Sequence, residues 1–345
     1  MVFVKQPLSQ RNNSGLWQPS IRDVKSTLIA VLCLWLAITL WSCSPAPGFD
    51  APASTPTGLD RSTRVSPGES NPSPTPSFKA TTSATQIPPP TDLPTPATTP
   101  TQPTPACLGQ GGRIETGQVR SDLLKLPMEY RVYLPPCYDN QSERSYPVLY
   151  LVHGQNYNDD QWDRLGVDET LDALVAAGEL PPFIVVMPRD RSWAQPDEDM
   201  FGRVVMETLL PWIDQTYRTL PERRYRAVGG LSRGAGWAIH LGLSEWESFG
   251  AIGAHSLPVF WTDLPHLKEW LDAIPNAALP RIYLDLGDKD RVQISKSARW
   301  FEALLTEKDI PHEWHLYPGY HEEAYWQVHL EEYLRWYATG WQSQP

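Results

Sequence analysis

What most restricts the fold of this chain is an alternation that begins near residue 129 and continues almost to the C-terminus. Short runs at 129–134, 148–152, 183–187, 226–229, 251–254, 282–286 and 313–317 are continuously apolar or alternate with period two, and read as strands. Between them, residues 169–177, 202–217, 235–243, 264–273, 294–305 and 323–337 carry helix-like patterns. Val148-Leu149-Tyr150-Leu151-Val152 is apolar at every position, as expected of a strand covered on both faces. Strand then helix, repeated, predicts an α/β domain: a mostly parallel central sheet with helices on both faces. Ligands in such sheets sit beyond the carboxyl ends of the strands. The loops that follow the strands are therefore where chemistry is expected.

Composition sets the limits of that domain. Residues 44–106 contain 16 Pro, 13 Thr and 8 Ser, with Phe49 and Phe78 as the only aromatics. Such a stretch cannot bury enough apolar surface to offset its conformational entropy, and its proline content stiffens it. It reads as a disordered tether, leaving 107–345 as a single folded domain. The chain's net charge is −11, although residues 1–43 are positive, so the negative charge is concentrated in 107–345. A domain this acidic is a poor match to a phosphate backbone, which argues against a nucleic-acid partner. The absence of a Gly-X-Y period and of sustained heptads excludes collagen and coiled coil.

The one long apolar run, residues 28–41, follows Arg11, Arg22 and Lys25. Its 14 residues fall short of the ~20 that span a bilayer, and match a signal-peptide core better. It ends in Leu40-Trp41-Ser42-Cys43, which resembles the bacterial lipobox, with Trp41 departing from the small residue usual there. Residues 1–43 are read as a signal peptide with Cys43 as the lipidation site; the alternative is an uncleaved signal anchor. Either places the rest outside the cytoplasmic membrane, at its outer face or secreted. Cys107 and Cys137 are the only cysteines beyond the tether, and outside the cytoplasm they are expected to form one disulfide closing a loop of about 30 residues. Neither sits in a CxxC pair or near paired histidines, so no metal is expected.

Gly230-Leu231-Ser232-Arg233-Gly234 fits G-x-S-x-G, and it lies between a strand-like run and a helix-like one. That context marks a nucleophile elbow with Ser232 at its tip. A serine needs a base, and the base an orienting acid, in the order Ser, acid, His for this kind of sheet. His321, in Pro318-Gly319-Tyr320-His321-Glu322-Glu323, follows one strand-like run and precedes a helix. His255 also follows a strand but precedes any suitable acid, and reads as pocket-lining or structural. Asp288 and Asp290 share the loop after residues 282–286; Asp290 is the chosen acid, Asp288 the reserve, and Asp285, inside the run, is structural.

Taken together, Arg131-Val-Tyr-Leu-Pro-Pro136, Tyr146-Pro-Val-Leu-Tyr-Leu-Val-His-Gly154, the Ser232 pentapeptide, Gly287-Asp-Lys-Asp290 and Gly319-Tyr-His321 with Trp326 resemble the putative-esterase branch of the α/β-hydrolases, in family order. That branch includes esterase D, enterochelin esterases, feruloyl and acetyl-xylan esterases and the antigen 85 mycolyltransferases. The resemblance implies a Ser232–Asp290–His321 triad, an oxyanion hole from the backbone N–H groups of Arg233 and Gln155, and no cofactor. It departs after His153-Gly154, where Gln-Asn-Tyr replaces a glycine-rich loop. His153, Trp162, Trp193 and Trp326 lie in or near the expected active-side loops and are candidate substrate contacts. The expected function is hydrolysis of a small-molecule or glycan-linked carboxylic ester. Acyl transfer to a surface glycan, or binding without catalysis, are the alternatives.

Overall fold

The computed structural model describes residues 105–341, so the expected signal peptide, Cys43 and all but the end of the expected tether lie outside the described residues. A short 3-10 helix, Ala106–Gln110, opens the domain. The strands are β1 (Arg113–Val119), β2 (Met128–Leu134), β3 (Val148–Val152), β4 (Ile184–Pro188), β5 (Arg226–Leu231), β6 (Ala251–His255), β7 (Arg281–Gly287) and β8 (Glu313–Tyr317). The α-helices are α1 (Gln161–Arg164), α2 (Val167–Ala176), α3 (Phe201–Val204), α4 (Leu210–Thr216), α5 (Arg233–Ser244), α6 (Leu267–Ala273), α7 (Val292–Glu307) and α8 (Glu323–Tyr337). The sheet runs β1-β2-β4-β3-β5-β6-β7-β8. β2 pairs antiparallel with both β1 and β4, and every other pairing is parallel. This is the α/β-hydrolase fold.

β3 shows why the sheet needs helices on both sides. Val148, Tyr150 and Val152 enter one apolar cluster, with residues of α3 to α7. Leu149 and Leu151 enter the other, with α1, α2 and α8. Side chains alternate across a strand, so a run with no polar position must be covered twice. The helices meet that demand with bulky residues: Trp237 of α5 on the first face, Tyr333 and Tyr337 of α8 on the second.

Two details differ from the sequence reading. β1 was not expected: its sequence, RIETGQV, is mostly polar, and as an edge strand it pairs with β2 alone. The helix expected over 202–217 is divided, with a π-helical turn at Val205–Leu209 separating α3 from α4. Pro211 explains the break, since it has no N–H to donate and its ring crowds the carbonyl four residues earlier.

Cys107 and Cys137 are joined in a disulfide, with Cα atoms 5.1 Å apart, which ties the 3-10 helix to the chain just beyond β2. No helix among the described residues is long and apolar enough to cross a membrane.

Candidate active site

Ser232 stands between β5 and α5 with φ 52° and ψ −124°. This is a strained turn for a residue bearing a Cβ. Its surroundings explain the flanking glycines. A Cβ on Gly230 would lie 2.3 Å from the Gly234 backbone, and one on Gly234 would lie 2.1 Å from the Val152 carbonyl oxygen. Only without those atoms do strand and helix approach closely enough to form the turn. The Ser232 N–H donates to the His255 carbonyl on the next strand, at 2.8 Å.

The loops after β7 and β8 are bound to each other. The Asp288 N–H donates to the Tyr317 carbonyl (2.7 Å) and the Lys289 N–H to the Gly319 carbonyl (2.9 Å). Asp288 Oδ1 accepts the Gly319 N–H at 3.0 Å. Asp288, the reserve acid, thus braces the loop and does not reach His321. Asp290 does: its carboxylate oxygens lie 2.9 and 3.1 Å from His321 Nδ1, and Oδ1 also accepts the Arg291 N–H at 2.6 Å. His321 Nε2 is 2.8 Å from Ser232 Oγ. An ionised carboxylate only accepts, so Nδ1 carries the hydrogen and Nε2 is left to accept the Ser232 proton.

Ser232 opens into a cleft of about 500 Å³. Both expected oxyanion donors border it. Arg233 is the first residue of α5, where an N–H has no intrahelical acceptor, and Gln155 follows the end of β3. Gly154, just before Gln155, donates its N–H to Gln161 Oε1 at 2.8 Å, and Gln161 Nε2 donates to Glu323 at 3.1 Å. That chain ties the Gln155 loop to the start of α8.

The candidate substrate contacts divide. Trp193 is 68% exposed at the cleft. Trp326 borders it but is buried, with its ring edge-on to His321 at 5.0 Å between centroids and its Nε1–H donating to Ser256 Oγ at 3.3 Å. His153 and Trp162 are not cleft residues, which corrects the expectation for both. His153 is buried, with Nδ1–H donating to the Gly154 carbonyl (2.7 Å) and Nε2 accepting the Asp190 N–H (2.9 Å). Burial pushes its pKa below the ordinary histidine value, consistent with a neutral ring holding two loops together. Trp162, on α1, is buried and donates Nε1–H to the Val152 carbonyl at 3.1 Å. Proximity to the His153-Gly154 turn in sequence did not distinguish a ring above the turn from one beneath it.

Several features of the site are not apparent from motifs. The Arg233 side chain turns inward. Its Nε lies 2.7 Å from Asp190 and one terminal nitrogen 3.3 Å from Asp199, and it also donates to the Ala194 carbonyl at 2.8 Å. It thereby pins the loop that carries Trp193. Trp261, 63% exposed, lines the cleft with Tyr157, Phe260 and Gln195, and Gln195 Oε1 accepts the Trp261 N–H at 3.0 Å. The signal for Trp261 was its place in a loop after a strand, the same rule that located His321.

Residues 121–337 match the model of the family described as "Putative esterase". The chain belongs to that family. Among curated relatives of this esterase-family chain, an endo-1,4-beta-xylanase/feruloyl esterase of Xylanibacter ruminicola is 30% identical over 184 residues, covering 50% of this chain and 24% of that protein. Esterase Rv1288 of Mycobacterium tuberculosis is 30% identical over 242 residues, covering 55% of this chain and 51% of that protein. The chain thus spans from about a quarter to about half the length of these relatives. Among solved structures, a ferulic acid esterase shares 25% identity at a TM-score of 0.60, covering 66% of this chain and 98% of its own. The S-formylglutathione hydrolase of Staphylococcus aureus, 16% identical with a TM-score of 0.53, covers 66% of this chain and 99% of its own and shares the fold.

Proposed function

We propose that this esterase-family chain hydrolyses carboxylic esters through a Ser232–His321–Asp290 triad and an acyl-enzyme, and that it does so outside the cytoplasm. The observation that carries the reading is the unbroken hydrogen-bond chain from Asp290 through His321 to Ser232 Oγ, at the floor of an open cleft. His321 Nε2 takes the hydroxyl proton as Oγ attacks the ester carbonyl. The tetrahedral oxyanion faces the N–H groups of Arg233 and Gln155, which act as fixed dipoles at the oxygen where charge develops. Protonated His321, its charge offset by buried Asp290, returns the proton to the leaving alcohol, and the carbon–oxygen bond breaks. Water, deprotonated by the same imidazole, then attacks the acyl carbonyl and releases the acid and free Ser232. The reaction as written requires no metal or cofactor.

The cleft supports an ester with an aromatic or short acyl group and a small-molecule or glycan alcohol. Tyr157, Trp193 and Trp261 present ring surface there, and the buried rings of Phe260 and Trp326 border it with Pro258, Val259 and Ile294. Export rests on the basic and apolar pattern of residues 1–43, and the Cys107–Cys137 disulfide favours an oxidising compartment. Cys43 is the proposed lipid anchor to the outer face of the membrane. A panel of acetyl, feruloyl and short-chain nitrophenyl esters, run with and without sugar acceptors, tests the reading. Release of free acid is expected; acylated sugar as the main product would replace hydrolysis with transfer, and no turnover of any ester would reject it.

A further inference from the structure

At the end of β6, two consecutive buried residues reach both partners of the proposed proton transfer. The His255 carbonyl accepts the Ser232 N–H at 2.8 Å. Ser256 follows with φ 57°, fully buried, in a left-handed conformation that non-glycine residues seldom hold. Its N–H donates to the Asp285 carbonyl at 2.9 Å, which holds the turned peptide in place. Its Oγ accepts the Trp326 Nε1–H at 3.3 Å. The Trp326 ring in turn stands at 85° to the His321 imidazole, 5.0 Å between centroids. Asp290 restrains the His321 ring at Nδ1, and Trp326 restrains it through ring contact.

The base of this arrangement is a buried network that does not line the cleft. Asp285 accepts His255 Nδ1–H at 2.6 Å, the Tyr325 hydroxyl at 2.6 Å and the Tyr333 hydroxyl at 2.8 Å. The Tyr337 hydroxyl donates to His255 Nε2 at 3.1 Å. His255 also stacks on Tyr333, 3.7 Å between centroids. Each ring nitrogen of His255 and both carboxylate oxygens of Asp285 have partners, and a buried polar network satisfied in this way is rigid. Tyr325 and Trp326 are adjacent at the start of α8, so the helix after His321 is fixed to β6 and β7 by both residues. The left-handed backbone at Ser256 turns the chain at the end of β6 and places Oγ within reach of the indole N–H.

We propose that the His255–Ser256 step, seated on Asp285, sets the separation of Ser232 Oγ and His321 Nε2, with Ser256 and Trp326 acting as positioning residues for the base. His255 holds the backbone of the nucleophile, and Ser256 holds the ring that abuts the imidazole. The inference rests on the serine-hydrolase reading of the same site.

The test is a double-mutant cycle in the full chain with Ser256→Gly and Trp326→Phe. Glycine accepts the left-handed φ without strain and removes the hydroxymethyl group that accepts the indole N–H; phenylalanine keeps an aromatic ring and loses the N–H. With p-nitrophenyl acetate, each single variant should lower kcat by ~5–50-fold with KM little changed, since small misplacement of a reacting group is costly. The double variant should lose no more than the worse single, because each change breaks the same link. In proton NMR, the His321 Nδ1–H resonance should shift or broaden in both singles, a readout that needs no substrate. Folded variants with wild-type kcat and an unmoved resonance would overturn the proposal, as would losses that add in the double and follow melting temperature. If wild-type protein turned over no ester, the esterase reading would fail separately, and the His321 resonance alone would still decide the positioning claim.

Discussion

Replacing Asp290 by Asn changes one atom of the site, and the geometry dictates the consequence. The Nδ1–H of His321 is directed at Asp290 Oδ2 at 3.1 Å, while Oδ1 accepts the Arg291 N–H at 2.6 Å. An amide has one oxygen for these two donors. If it faces Arg291, the NH2 group meets Nδ1 and favours the tautomer with hydrogen on Nε2, which cannot accept the Ser232 proton. If it faces His321, two N–H donors meet beside Arg291 in a buried site. Loss of the correct tautomer and of the charge opposite the imidazolium should lower kcat/KM by ~10³–10⁴-fold, about 4–5.5 kcal/mol of transition-state stabilisation. Asp288→Asn is the matched control: it keeps an acceptor oxygen for the Gly319 N–H in an exposed loop, and should stay within about threefold of wild type. Initial rates with p-nitrophenyl acetate at neutral pH, on variants whose circular dichroism matches wild type, provide the comparison. A larger loss in Asp288→Asn, or one tenth or more of wild-type turnover remaining in Asp290→Asn, would refute the reasoning.

Gly234→Ala puts a Cβ 2.1 Å from the Val152 carbonyl oxygen, and neither backbone can yield locally, so the urea midpoint should fall by the equivalent of ~1–3 kcal/mol or more; an unchanged midpoint contradicts the close-approach argument. Reducing the Cys107–Cys137 bridge should lower the melting temperature, by at most the equivalent of ~3–4 kcal/mol for a loop of this length, and leave turnover per folded molecule unchanged because neither cysteine borders the cleft. His153 binds fewer protons folded than unfolded, because burial lowers its folded pKa. Its contribution to stability is therefore fully present above the ordinary histidine value of about 6.5 and is lost as pH falls below it. The protein with His153→Gln, which keeps one donor and one acceptor but does not titrate, should lose less stability than wild type between neutral and mildly acidic pH; parallel pH profiles would contradict this.

The parts of the site that were legible in the sequence are those where local constraint and function coincide. Gly230, Ser232 and Gly234 form a recognisable motif because close backbone approach excludes any Cβ at both flanks. Asp290 and His321 could be located because topology places chemistry after strands, and the structure puts His321 Nε2 beside Ser232 Oγ and Asp290 beside His321 Nδ1. The inner strands were readable because β3 to β6 are buried along their whole length. β1 was not, since an edge strand can be polar and still pair. The tryptophans show a different limit. Trp162, Trp193 and Trp326 all lie near active-side loops in sequence, but one is packed beneath the sheet's end, one faces solvent and one leans on the imidazole. Only packing distinguishes those outcomes. The same holds for His255 and Asp285, whose importance lies in contacts with three tyrosines of α8 that no spacing rule anticipates.

The most direct test of the central claim is covalent capture of the nucleophile. The full chain is treated with a fluorophosphonate, and the site of modification is mapped by tandem mass spectrometry in wild type and in Ser232→Ala. The account predicts one phosphonyl group per molecule, on the peptide containing Ser232, formed in step with loss of p-nitrophenyl acetate turnover. Ser232→Ala should take up no label and turn over the ester ~10³–10⁶-fold more slowly. Labelling at another residue, or wild-type turnover in Ser232→Ala, would contradict it.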